Sequence, residues 1–509
     1  MSKTSALAFI LASVALAPTG RAQTPALPET ATPPPDAPAT RDVPPPPVNE
    51  TPFAPPALPP DLAARLDAAE QQGRIAARKV ELLEEQLATR AKESPSTTAD
   101  DKGFGVRSAD SAYTLRFRGL IQVDTRWFIG DGALSDKADT FIIRRLRPGI
   151  DGTLFSLVDY RFIPDFASGT LAVFDAYTDV HPFTWLRLRT GKFKSPLGLE
   201  RLQADADLPL MERALTQYLT PQRDVGAALW GDVAGGVLTY NAGIYNGSPD
   251  AANQDIDANH AKDFVLRALI QPFKLPALQD LGSLGLHFAW SRGNRFGTPA
   301  NPQLPSFRSG GQNTFFSYLS STTDQTGTVF AHLRQTRINP GLYYYVGPLG
   351  VLTEFVQSRQ EVQKGNTTAT LTHRAFHATA SFVLGGKNGY DGATPTTRFD
   401  PAKGTWGALE LAARWNYLKV DDATFGNATD ATVPTFADAK KSARKAQGFA
   451  FALTFVPSRT FRLAVNYERT RFTDGSSVSV TDPTTMKATT QVANRNTENA
   501  LFGRAQVNF

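Results

Sequence analysis

The sequence of 509 residues contains no cysteine. That excludes disulfide staples, thiolate metal sites and thiol catalysis. Histidine is scarce. His181, His260, His287, His332, His373 and His377 are dispersed, and no Ser/His/Asp or metal-ligand spacing joins them. His373 and His377 are four apart, but in a strand pattern, where they share a face without converging. The residues therefore point to no enzyme, no metal and no cofactor. Long apolar runs are missing beyond the N-terminus. The stretch 6–17 is shorter than the roughly 20 residues a bilayer-spanning helix needs, so a helical membrane protein is excluded. An excess of one charge is also missing. The 53 basic and 48 acidic side chains leave +5, too little to imply nucleic-acid binding.

What is present begins with an export signal at 1–22. Lys3 is its positive start, 6–17 its apolar core, and Gly20-Arg21-Ala22 a small-x-small cleavage site. The segment 23–60 is dense in proline and predicts an extended linker. In 61–93, Leu62, Leu66, Ala69, Gly73, Ala76, Val80, Leu83 and Leu87 are spaced four and three in alternation. That heptad seam predicts a short coiled coil. Residues 94–112 read as a polar tether.

From Tyr113 to the end the period is two. Tyr113, Leu115, Phe117, Ile121, Val123 and Trp127 fall on one side of a strand; Arg116, Arg118, Gln122, Asp124 and Arg126 fall on the other. Leu409 and Leu411 oppose Glu410 and Arg414, and Leu463 and Val465 oppose Arg462 and Asn466. The last residues alternate too, with Leu501, Ala505, Val507 and Phe509 against Arg504, Gln506 and Asn508. Such a terminal strand resembles the closing strand of bacterial outer-membrane barrels. Short turns such as Gly347-Pro348 alternate with long polar stretches such as 292–328 and 474–499. An apolar outer face with aromatic ends, and short turns opposite long loops, predict an all-β, transmembrane antiparallel barrel of about 16 strands over 113–509. Leu115, Phe117, Leu409, Leu411 and Val507 are expected to face outer-membrane lipid.

A barrel of that size encloses a channel, so function lies in its lining. An arginine on the lipid face costs about 2–4 kcal/mol at the midplane. Arg116, Arg118, Arg126, Arg147, Arg187 and Arg189 are therefore expected in the lumen. Arg144 and Arg145 are adjacent, which breaks alternation and predicts a bulge that aims both inward. The surplus of arginine over acid favours anions. The stretch 194–224 is a candidate constriction loop. Asp205 or Asp207 could cap a short helix there, with Leu210, Ala214 and Leu215 on one face.

These residues resemble the phosphate-selective porin O and P family. The resemblance rests on Arg144-Arg145, Phe174-Asp175, the run from Gly191 to Arg201, Met211-Glu212-Arg213-Ala214-Leu215, Arg223-Asp224-Val225-Gly226 and the run from Gly341 to Gly350, in the family's order. It implies a homotrimer of 16-stranded barrels in the outer membrane, with the third external loop folded into each channel. It also implies passive diffusion of small inorganic anions, phosphate or polyphosphate among them. Carried over, Arg144, Arg145 and Asp175 match constriction positions. Arg201 stands where the phosphate-specific members carry a lysine, and Arg147 and Lys194 stand near positions that are aromatic there. Arginine meets oxyanions as a planar fork and lysine as a point charge, so anion preference transfers better than phosphate specificity. A second class of function is structural: a barrel anchored in the membrane, with the coiled coil reaching into the periplasm.

Overall fold

The computed structural model describes residues 60–130, 139–169, 171–257, 260–426, 433–481 and 486–509. The expected signal peptide and nearly all of the linker lie outside the described residues. The chain divides into two units, 1–81 and 82–509. The first holds most of helix α1 (Pro60–Glu93), with Asp61 in its first turn. Good helix formers fill α1, and Gly73 is its only glycine. Leu62, Leu66, Val80, Leu83 and Leu87 of the heptad seam are exposed in the single chain.

The second unit is a closed barrel of 16 antiparallel strands. They are β1 (Thr114–Phe128), β2 (Thr140–Leu154), β3 (Val158–Asp165), β4 (Ala172–Val180), β5 (Arg187–Phe193), β6 (Asp224–Val233), β7 (Leu238–Tyr245) and β8 (Asp263–Ile270). Then follow β9 (Ser283–Phe296), β10 (Val329–Val346), β11 (Leu349–Lys364), β12 (Thr367–Leu384), β13 (Ala408–Lys419), β14 (Ala443–Ser458), β15 (Phe461–Thr481) and β16 (Glu498–Asn508). Each strand pairs with the next, and β16 closes on β1 from Ala500↔Phe128 to Asn508↔Leu120. Closure pairs the first and last strands with each other over that stretch. The alternation sorts the side chains: Leu115, Phe117, Leu411 and Val507 are exposed outside, while Gln122, Asp124, Arg414 and Gln506 are buried inside.

The bulge expected in β2 is present. Gln122 faces Arg145 and Val123 faces Ile143, so Arg144 is the extra residue. Both arginines consequently bond to groups inside the barrel.

Two stretches differ from expectation. The polar tether contains a hairpin, Ser96–Asp100 with Gly103–Arg107, whose second strand pairs with β1 from Phe104↔Phe117 to Arg107↔Thr114. Phe104 and Val106 alternate with small or polar residues, and β1 has a vacant edge there because β16 stops short of it. Phe509 sits at that junction. Its N–H donates to the Gly119 carbonyl at 3.0 Å and its carbonyl accepts from the Gly119 N–H at 2.8 Å. Its ring lies 5.7 Å from that of Phe104, on the space a Cβ at Gly119 would fill. The second difference is in 474–499. β15 runs on to Thr481 and pairs with Ala488–Asn494, because Val478, Val480 and Val492 alternate with Ser, Thr and Gln.

Candidate anion constriction

The connection between β5 and β6, residues 194–223, turns into the lumen. Leu197, Leu199, Leu210, Met211, Leu215 and Leu219 bury themselves against the inner wall. The expected helix from Asp205 or Asp207 through Leu215 does not form. The short helical turns are instead Leu199–Leu202 and Leu215–Leu219. Asp205 is occupied by arginines instead of capping. Gly198 precedes the first turn at φ 85°, where a Cβ would lie 2.7 Å from that of Arg201, so glycine is required there.

Wall residues seat the loop. Asn339 Oδ1 of β10 accepts the Gly198 N–H at 2.8 Å. Glu354 of β11 accepts the Leu199 N–H and, at 2.8 Å, the Thr216 hydroxyl. Thr216 also meets His377 Nδ1 of β12 at 3.1 Å. Arg414 of β13 donates to the Glu212 carbonyl at 2.8 Å. Among the described residues, Glu200, Glu354 and His377 bring donor atoms within 4.8 Å of one another. Their carboxylate oxygens already accept protein hydrogen bonds from Leu199, Thr216, Ala214 and Arg414. The cluster therefore works as an anchor for the loop.

Two more segments enter. In 297–328, Phe307–Arg308 pairs with Thr314–Phe316 as a hairpin. Its tip crosses to the far wall, where the Gly311 N–H donates to Glu498 Oε1 of β16 at 3.0 Å. Phe307, Phe315 and Phe316 form a core with Tyr218, Leu215 and Phe472. From the other end, within 385–407, the Tyr390 hydroxyl donates to the Leu199 carbonyl at 2.6 Å.

Between the loops and the wall lies a cavity of about 320 Å³. Its lining includes eight basic side chains, Arg144, Arg145, Arg147, Lys194, Arg201, Arg213, Arg223 and Arg308, and two acidic ones, Asp165 and Asp205. Arg144 is held by Glu212 through two bonds of 2.8 and 3.0 Å, and Arg126 shares that carboxylate at 3.0 Å. Asp205 gathers Arg145, Arg147 and Arg213. Arg147 also donates to Asp165 at 2.7 Å. Arg223 donates to Asp175 at 3.0 Å. Counting Glu212 and Asp175 with the lining, basic side chains outnumber acidic ones by four. Three cations have no carboxylate partner among the described residues. Lys194 donates to the Gln203 carbonyl at 2.6 Å, Arg201 donates to that of Gln217 at 2.8 Å, and Arg308 stands exposed.

The electrostatics follow the crowding. Burial, with Arg213 adding repulsion, pushes the Lys194 ammonium well below its usual range. Burial lowers the Arg201 guanidinium to about 9. Burial alone would raise Asp205 and Glu212, but the arginines outweigh it. Arg145, Arg213 and Arg147 hold Asp205 well below the usual carboxylate range, and Arg144 and Arg126 do the same for Glu212. The carboxylates stay charged and the unmatched cations are strained by their neighbours, so an anion entering the cavity relieves the repulsion.

The structure thus brings Arg144, Arg145, Arg147, Lys194 and Arg201 to one cavity, with Asp175 bonded to Arg223 beside it. Arg116, Arg187 and Arg189 line a second cavity of about 350 Å³ toward the short-turn end, with Arg161, Asp151, Asp159 and Asp179. Arg118 pairs with Asp151 at 2.9 Å. Arg187 and Arg189 also stack on Trp230 at 4.4 and 4.8 Å. On the long-loop side a third cavity of about 940 Å³ is lined by Arg144, Arg308, Tyr218 and several Asn and Gln amides. Arg213 and Arg308 as lining, and Asp205 and Glu212 as the hubs that order the arginines, were not among the residues the sequence pointed to. Glu212-Arg213 and Arg223 do lie in the motifs shared with the family. Arg308 carries no sequence signal.

The model of the family described as phosphate-selective porin O and P matches residues 115–509. The chain belongs to that family. Comparison with curated proteins found no match. Among solved structures, the chain is similar to an anion-selective porin from Comamonas acidovorans, with 10% identity, TM-score 0.47, and 78% of this chain and 100% of that one covered. It is also similar to the outer-membrane channel DcaP of Acinetobacter baumannii, with 12% identity, TM-score 0.46, and 80% and 99% covered. OmpT of Vibrio cholerae matches with 12% identity, TM-score 0.45, and 78% and 98% covered. As a porin O and P member this chain is an outer-membrane channel.

Proposed function

We propose that the barrel carries small anions by passive diffusion, phosphate or polyphosphate among them, through a constriction of wall arginines and inward loops. The observation that carries the reading is the cavity with eight basic and two acidic lining side chains. Anions gain from the unmatched charge, and the cavities toward the long-loop and short-turn ends give them room to leave, as conduction requires. The proposal includes a homotrimer, with 61–93 as a periplasmic coiled coil. The exposed seam of α1 favours that assembly, and equally favours the second reading, an anchor between membrane and periplasm.

Reversal potentials of the purified protein in a planar bilayer under a KCl gradient test it. Chloride should permeate over potassium, and added phosphate should reduce the chloride current. Arg308→Glu should cut the anion preference several-fold without changing the loop's seating, because Arg308 has no carboxylate partner among the described residues to strand. A closed or unselective wild-type channel would leave the anchor.

A further inference from the structure

We propose that Phe174 is a positioning residue of the constriction: a spacer that carries the guanidinium planes of Arg147 and Arg223 on its two faces and sets where their free N–H groups meet an oxyanion. The inference rests on the anion-channel reading above and specifies how that site tells one anion from another.

Phe174 lies in β4 at a second irregularity of the wall. Ile163 faces Asp175 and Pro164 faces Val173, so Phe174 is an extra residue. Pro164 has no N–H to continue the ladder there, which makes the bulge the natural solution. The consequence matches that at Arg144-Arg145: two neighbours, Phe174 and Asp175, both serve the inside. Asp175 bonds to Arg223, and Phe174 lines the cavity. A phenyl ring is thus turned into an aqueous, cationic lumen and away from lipid, where it would be at home.

What it meets there is charge. Arg147 Cζ lies 3.8 Å from the ring centroid and Arg223 Cζ lies 3.9 Å from it. Both guanidinium groups therefore stack on the one ring, and one on each face is the arrangement that holds the two like charges farthest apart, up to about 8 Å between centres. Each face of the ring attracts a cation, which offsets the repulsion between two like charges from different segments, the β2 wall and the end of the constriction loop. Carboxylates fix the remaining freedom. Asp165 takes Arg147 Nε at 2.7 Å, Asp205 takes its Nη1, and Asp175 takes Arg223 Nε at 3.0 Å. Arg147 Nη2 and both Arg223 Nη groups have no partner among the described residues. Stacking and ion pairing together present two forks at a set separation. A lone halide uses only the charge of such an arrangement. An oxyanion with several acceptor oxygens also uses its geometry.

The test is made on the full-length protein in planar bilayers, with wild type, Phe174→Leu and Phe174→Tyr. Two quantities are read: chloride over potassium from a KCl gradient, and phosphate over chloride from bi-ionic reversal potentials. No charge is removed, so Phe174→Leu should keep chloride over potassium while phosphate over chloride falls about fivefold. Phe174→Tyr keeps a ring and should keep both. The inference is overturned if the leucine variant retains the wild-type phosphate ratio, or if the tyrosine variant loses as much as the leucine variant. It is also overturned if the leucine variant loses its chloride preference, which would mean the ring only supports the loop. A wild-type channel without anion preference sinks the porin reading itself, and this inference with it; that outcome is seen before any variant is compared.

Discussion

At the scale of single residues, the arginines of this channel divide by what holds them. Arg144, itself half-buried, is bonded twice to the buried carboxylate of Glu212. Arg308 is exposed and has no carboxylate partner among the described residues. Reversing the two charges should therefore have different results. Arg144→Glu sets a second carboxylate against the buried Glu212, at a cost below the roughly 3–5 kcal/mol of breaking a fully buried pair. The loop should unseat, and single-channel conductance should rise as selectivity falls. Arg308→Glu should shift selectivity at nearly constant conductance. Equal conductance changes in the two variants would contradict this division. The sequence disclosed the Arg144 bulge because two adjacent arginines cannot both satisfy an alternating wall. It concealed the bulge at Phe174, since Phe-Asp reads as ordinary alternation, one residue out and one in.

At the scale of elements, strands were legible and the loop paths were not. Alternation is a local property with a face-by-face cost, so it survives in the sequence. Whether a polar loop enters the lumen depends on partners far away in the chain, as Gly311 depends on Glu498 and Thr216 on Glu354. Two wall histidines show the same dependence. His373 and His377 share the inner face of β12, and each holds a different loop. His377 meets Thr216, while His373 lies 2.7 Å from the Tyr318 hydroxyl and accepts the Asp421 N–H at 3.1 Å. The loop carboxylates supply a pH prediction. Asp205 and Glu212 have folded-state values below the ordinary one of about 4. Their stabilisation is therefore complete above that value and is lost only as pH falls through the depressed values. Anion selectivity measured at pH 4 should be no lower than that at pH 7. A loss of selectivity between pH 5 and 4 would show that these carboxylates do not hold the arginines.

At the scale of the whole molecule, the net charge of +5 says little, because the surplus that matters is concentrated in one cavity. The barrel has its own closed ladder of hydrogen bonds and its own core, so removing 60–93 should leave it folded and conducting, with assembly weakened where α1 contributes. Heat-modifiable mobility, channel recording and sedimentation check the three parts, and a deletion that abolished insertion would make the helix part of the folding unit. The bulge at Arg144 has a last consequence for the wall as a whole. In a regular strand, losing one residue turns every later side chain to the other face and ruins the barrel. At Arg144 the extra residue is already outside the pairing, so its loss joins Ile143 and Arg145 into an unbroken register against Val123 and Gln122. Chain length can change there by one, and the charge of the channel with it, while every strand keeps its lipid face. Length variation, ruinous at a regularly paired position of such a wall, becomes here a means of adjusting what the channel admits.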